Sequence, residues 1–147
     1  MPMEAQLVLA LTGGLDQDGH VVLVGTGWTV RPPGPQPMAV YFVVYVPREQ
    51  AGVHRWRLEL TYANGTPITL REQVPGVPSN LVWENESEIV GLDTPGLTTP
   101  LTLGALIALP PLRLPKGREY VWRLVVDGET RDGWALPFRT TPPKALP

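Results

Sequence analysis

Few side chains in this 147-residue chain are equipped for chemistry: there are two histidines, His20 and His54, two serines, Ser79 and Ser87, and no cysteine. A serine nucleophile needs a base beside it, and neither serine stands in the Gly-x-Ser-x-Gly turn that presents one. The two histidines fall at expected strand starts, far apart in the chain, which makes a poor zinc site. Without thiols, thiolate ligation and a disulfide framework are excluded. Asp16-x-Asp18-Gly19 has the opening of a calcium loop but lacks the third oxygen ligand and the distant bidentate glutamate, so it reads as a polar β-turn. The expectation is therefore no catalytic residue, no metal and no cofactor.

Binding chemistry has more material. Glu84, Glu86 and Glu88 alternate, with Asp93 further on, so an extended backbone lines three carboxylates along one side. Such a row suits a cation or a basic partner, and equally a solvated strand whose like charges discourage edge-to-edge pairing. A glycosidase pair would instead stand across a cleft rather than along one strand. Trp83 precedes the row. Its ring beside Glu84 and Asn85 has the make-up of a surface that stacks on and hydrogen-bonds a sugar or a peptide, whereas the other tryptophans read as core. Trp83, Glu84, Glu86 and Glu88 are thus the ligand-binding candidates, and carbohydrate or small-ligand binding by Trp83 and the Glu84–Asp93 segment is the alternative function.

The elements that must position these groups follow from composition. Eighteen prolines and fifteen glycines are spread along the chain. Proline inside a helix costs about 3 kcal/mol and glycine about 1, so an all-β domain is expected. Glu4–Leu11 reads as a first strand ended by Gly13-Gly14, and His20–Val30 as a long strand with Val22, Val24, Trp28 and Val30 on one parity. Met38–Val46 is apolar on both parities and must be central. Val53–Tyr62 alternates, and Asn64-Gly65 predicts a hairpin returning through Thr66–Arg71. Glu72–Pro100 reads as long loops holding one short strand, near 81–83 or 87–90. Pro110-Pro111 interrupts Leu101–Leu114 and marks an edge, a bend or a strand switch. Tyr120, Trp122, Leu124 and Val126 alternate with Val121, Arg123 and Val125, turn at Asp127-Gly128, and return through Trp134, Leu136 and Phe138.

Leu114-Pro115-Lys116-Gly117-Arg118-Glu119-Tyr120 resembles the tyrosine corner of immunoglobulin-like and fibronectin type III sandwiches. The resemblance implies that Tyr120 is the corner tyrosine, bonded to upstream backbone, with Leu114 packed beside it, Gly117 turning the chain and Trp122 in the core. The whole chain also resembles a family of small bacterial proteins known as a domain of unknown function. That resemblance is carried by Glu4–Leu7, Asp18–Gly25 with Trp28, and Gly117–Phe138; it implies a sandwich and no particular activity. The expected architecture is a single immunoglobulin-like β-sandwich of roughly seven to nine strands over residues 1–141, with 142–147 a tail.

In that topology Met38–Val46 would neighbour the Tyr120 strand. Tyr41, Val43 and Tyr45 would then join Val121, Arg123 and Val125 in one apolar patch, large enough to mark an interface. The patch would be covered by a second copy, by another protein, or by the 72–100 segment folding back. The resulting expectation is a non-catalytic protein–protein interaction or self-association module, with a homodimer as one form. A net charge of -2 without a basic stripe gives no reason to expect nucleic acid. No apolar run reaches the roughly 18 residues that span a bilayer, and the N-terminus lacks the basic flank of a signal peptide, so a cytoplasmic protein off the membrane is expected. In that compartment Asn85-Glu86-Ser87 is not a glycan acceptor.

Overall fold

The computed structural model describes residues 2–32, 35–70, 72–91 and 96–141. Ten strands follow in order: β1 Glu4–Ala10, β2 Thr12–Leu15, β3 Val21–Val24, β4 Val30–Arg31, β5 Gln36–Val46, β6 Gly52–Tyr62, β7 Val82–Ile89, β8 Leu101–Leu112, β9 Glu119–Val126 and β10 Ala135–Thr140. Two 3-10 turns, Arg48–Gln50 and Asp132–Trp134, are the helical content of the described residues, which contain no α-helix. Ten strands exceed the number expected, because the first thirty residues divide more finely than their apolar pattern suggests.

The strands form three open sheets, ordered β1-β5-β8, β4-β10-β9-β6-β7 and β2-β3. The first two pack face to face. Val40, Phe42, Val44 and Val46 of β5 meet Trp56, Leu58 and Leu60 of β6 and Tyr120, Trp122, Leu124 and Val126 of β9 in one core. Phe42 sets its ring edge against Trp56 at 5.0 Å, and the buried Trp122 indole N–H donates to Met38 Sδ at 3.4 Å. The β6 and β9 members are the residues whose period of two predicted an inward face; for β5 both parities are apolar and the pairing decides.

Tyr120 is tied to the backbone ahead of β9. The Tyr120 hydroxyl donates to Pro115 O at 2.5 Å, Thr140 Oγ1 donates to the same carbonyl at 2.9 Å, Gly117 adopts φ 67 and Leu114 is buried. Burial, reinforced by Tyr62, pushes the Tyr120 hydroxyl up to about 12.

Five expectations are corrected. Met38–Val46 lies within β5, between β1 and β8, not beside β9. Its two-sided apolar pattern reflects a core on one side and the β2–β3 ribbon on the other. Gly13-Gly14 does not end a strand but lies in β2, which pairs with β3 around the Asp16–Gly19 turn. The long His20–Val30 strand is broken after Val24, where Gly25 and Gly27 take φ values of 77 and 90. A Cβ at Gly25 would stand 2.7 Å from the Leu11 side chain, so close approach and positive φ both require glycine there.

The remaining two corrections concern the middle of the chain. The Asn64-Gly65 turn forms, with Tyr62 N–H donating to Thr66 O at 3.0 Å, but pairing stops at a Thr61–Pro67 bridge because proline brings no N–H to a ladder. The 72–91 region holds a full eight-residue strand, β7, where a short one was expected. Pro110-Pro111 sits near the end of β8, an edge strand, beside the register shift between Gln36 and Met38. Residues 142–147, read as a tail, and Asp93 and Arg71 lie outside the described residues.

Candidate functional site

In an antiparallel ladder directly opposite residues share a face. β6 pairs with β7 so that Arg57, Arg55 and Val53 stand opposite Glu84, Glu86 and Glu88, while Leu58 and Trp56 stand opposite Trp83 and Asn85. The glutamates therefore point away from the core, and Trp83 points toward the opening between the layers. Trp83 is half-buried, with its ring 5.5 Å from that of Trp122. It lines an open groove of about 500 Å³ together with Trp56, Asn85, Ala105, Leu106 and Ile107. The four ligand-binding candidates thus sit on one strand but on its two faces; Glu84 borders the Trp83 groove, while Glu86 and Glu88 do not line it.

The interface candidates are also divided. Tyr41, Val43 and Tyr45 are half-buried on the outer face of the three-stranded sheet, with Tyr45 OH donating to Gln6 Oε1 at 3.4 Å. Val121, buried, and Arg123 and Val125, half-buried, belong to the outer face of the other sheet. The two rows back onto opposite sides of the core because β5 and β9 are in different layers, so no joint patch exists.

Over part of β5 and β8 lies the β2–β3 ribbon, while Leu97, Thr98 and Pro100 border Tyr45. A Cβ at Gly13 would lie 3.0 Å from Leu23 and 3.1 Å from Leu106 side-chain carbons, which fixes how closely the ribbon is seated. The ribbon leaves Leu11, Leu15, Val22 and Val24 exposed by 40, 67, 47 and 60%. The sequence puts Val22 and Val24 on one parity of a long strand. The Gly25-x-Gly27 break was the signal that their strand is short.

A second cluster was missed altogether. His54, buried on β6, has Nδ1 2.6 Å from Asp127 Oδ2 and Nε2 2.6 Å from Gln50 O. Both partners are acceptors, so both contacts are hydrogen bonds only when the ring carries a proton on each nitrogen. Asp127, at φ 51 in the Asp127-Gly128 turn, also accepts the Arg55 N–H at 2.9 Å. The hydrogen bond to Asp127 raises the His54 pKa above its ordinary value; burial opposes this and the Gln50 carbonyl assists. For Asp127, burial pushes the carboxyl up, but the His54 ring and the Arg55 N–H outweigh it and the pKa falls.

Ser87 stands opposite His54 in the ladder. With Nε2 committed to Gln50, the ring is not presented to Ser87 as a base. Ser79 lies in the turn preceding β7, and His20 is exposed. Asp16, Asp18 and His20 can bring ligand atoms within 4.8 Å of one another, all exposed. Asp16 Oδ1 is already accepting the Asp18 and His20 N–H groups at 2.9 and 2.8 Å, which is the geometry of a polar turn. Among the described residues, no helix is long and apolar enough to cross a membrane. Compared with known proteins, the chain matches no family, no curated sequence and no solved structure.

Proposed function

We propose that this chain is a non-catalytic protein-recognition module with an immunoglobulin-like fold, and that it associates with a second copy of itself through the β2–β3 ribbon. The fold reading is supported by strand order. In immunoglobulin terms β1-β5-β8 corresponds to A-B-E, and β10-β9-β6-β7 to G-F-C-C′, with the corner tyrosine on F. This makes Met38–Val46 the B strand.

The functional reading rests on one observation: Val22 and Val24, on one face of β3, are exposed beside an outer edge that pairs with no strand among the described residues. β3, Val21–Val24, carries no charge and no proline, and among the described residues its far edge pairs with no strand. Unprotected apolar edges of this kind recruit another strand. Two-fold pairing of β3 with its copy sets Val22 opposite Val24, an apolar cross-strand pair. The half-buried Tyr41–Tyr45 row borders the same outer face.

Mass measured by light scattering across a concentration series tests this. Wild type is expected to pass from monomer to dimer, and the Val22→Glu/Val24→Glu variant to remain monomeric with an unchanged circular dichroism spectrum. A wild-type chain that is monomeric at every concentration, or a dimer indifferent to both glutamates, overturns it.

A further inference from the structure

We propose that the free edge of β7 binds an extended segment of another protein whose residues alternate between basic and apolar, and that this segment adds to the sheet as a strand beyond β7. The site is separate from the β3 edge, so the two proposals fail independently.

β7 ends the five-stranded sheet, and among the described residues no strand pairs with its outer side. It is firmly held from behind. Leu81, fully buried, adopts φ 54 to enter the strand, donates its N–H to Pro78 O at 3.0 Å and accepts the Leu60 N–H at 3.0 Å. The edge is therefore an anchored template whose outward backbone groups, among the described residues, pair with no strand. At Glu86 the backbone N–H is taken up by Asn85 Oδ1 at 2.8 Å, a side chain standing where a strand carbonyl would stand.

The two faces of β7 specify what the arriving strand must carry, because cross-strand neighbours share a face. On the outer face it meets Glu84, Glu86 and Glu88. Among the described residues none of these forms an ion pair, and the neighbouring Arg57 turns to Glu59 at 3.0 Å. Basic side chains at alternate positions complement that row. On the inner face the strand passes over the groove of about 500 Å³ floored by Trp83, Trp56 and Ile107, which takes apolar side chains. Glu84 borders the Trp83 groove, and Glu86 and Glu88 beyond it are reached by a partner with the same period of two.

A second copy of this chain does not fit. Two-fold antiparallel pairing of β7 with itself keeps residues of one parity together, so glutamates would face glutamates. The occupant must bring the opposite charge.

The probe is a synthetic nonapeptide alternating lysine with valine or isoleucine, compared with a peptide of identical composition whose lysines are in one block. Titration calorimetry and amide hydrogen exchange on the full chain supply the readouts. The alternating peptide is expected to bind at least tenfold more tightly than the blocked one, to slow exchange of β7 amides, and to weaken as salt is added. Glu84→Lys/Glu86→Lys/Glu88→Lys, all on exposed positions, should reduce binding at least tenfold. Glu88→Pro, which removes one free-edge N–H and leaves the acidic side chains at 84 and 86, should do the same. Equal binding of the two peptides, protection that avoids β7, or indifference to both variants overturns the proposal, as does no binding.

Discussion

Replacing His54 with glutamine removes the titrating ring from the Gln50–His54–Asp127 clamp while keeping a polar side chain. The folded state raises the His54 pKa above its ordinary 6.5, so protonation favours folding. The contribution is fully present below pH 6.5 and is lost as pH rises through the folded-state value. Asp127 has the opposite sign: its folded pKa lies below its ordinary 3.8, so its share is present above 3.8 and is lost as pH falls through the lowered value. The clamp is complete between pH 3.8 and 6.5. Deprotonation leaves one ring nitrogen facing an acceptor at 2.6 Å in place of a charge-assisted hydrogen bond. Such bonds are worth about 1.5–3 kcal/mol. The Asp127 side chain is 39% exposed, so water takes over part of that contact and the lower half of the range applies. About 2 kcal/mol, or roughly thirtyfold in the folding equilibrium, should disappear on the alkaline side. Urea unfolding at pH 5.5 and pH 9 measures it: wild type should lose most of this difference and His54→Gln very little. A wild type whose stability rises over that interval, or two superimposable profiles, would refute this role for the protonated ring.

Two further substitutions probe the frame around the site. Tyr120→Phe keeps the rings stacked on Tyr62 and Phe138, at 5.4 and 5.2 Å, and removes only the hydroxyl. Because Thr140 still serves the Pro115 carbonyl, the cost should be about 1 kcal/mol by thermal or urea unfolding, and a loss above about 3 would contradict that sharing. Gly104→Ala, in β8, puts a Cβ 2.9 Å from the Phe42 carbonyl oxygen; the sheet must shift, costing about 1–3 kcal/mol, and an unchanged midpoint would count against the close approach of β5 and β8.

Much of the frame was legible because it is local. The β9–β10 hairpin announces itself through alternation and Asp127-Gly128, and the corner through Leu114, Gly117 and Tyr120. β5 reads as central from its own residues. Which layer it joins depends on pairing with Glu4–Ala10 and Leu101–Leu112, which no local pattern encodes, and so the patch predicted across β5 and β9 dissolves. β7 was underread for a different reason: an edge strand with one face in water needs few apolar residues, and the alternating glutamates were its signature. The His54–Asp127 contact joins residues 73 apart in the chain. Neither residue has an unusual neighbour in sequence, so only the folded register brings them together.

The parallel pairing of β4 with β10 joins Val30 and Arg31 to Arg139 and Thr140. During synthesis β4 and β6 therefore emerge well before β9 and β10, and the apolar side of β6 waits for Trp122 and Leu124 to leave the ribosome. A nascent chain arrested before residue 119 should lack a closed core and attract holding chaperones, whereas the released chain has to close a loop on the order of a hundred residues, which places this domain among slow folders.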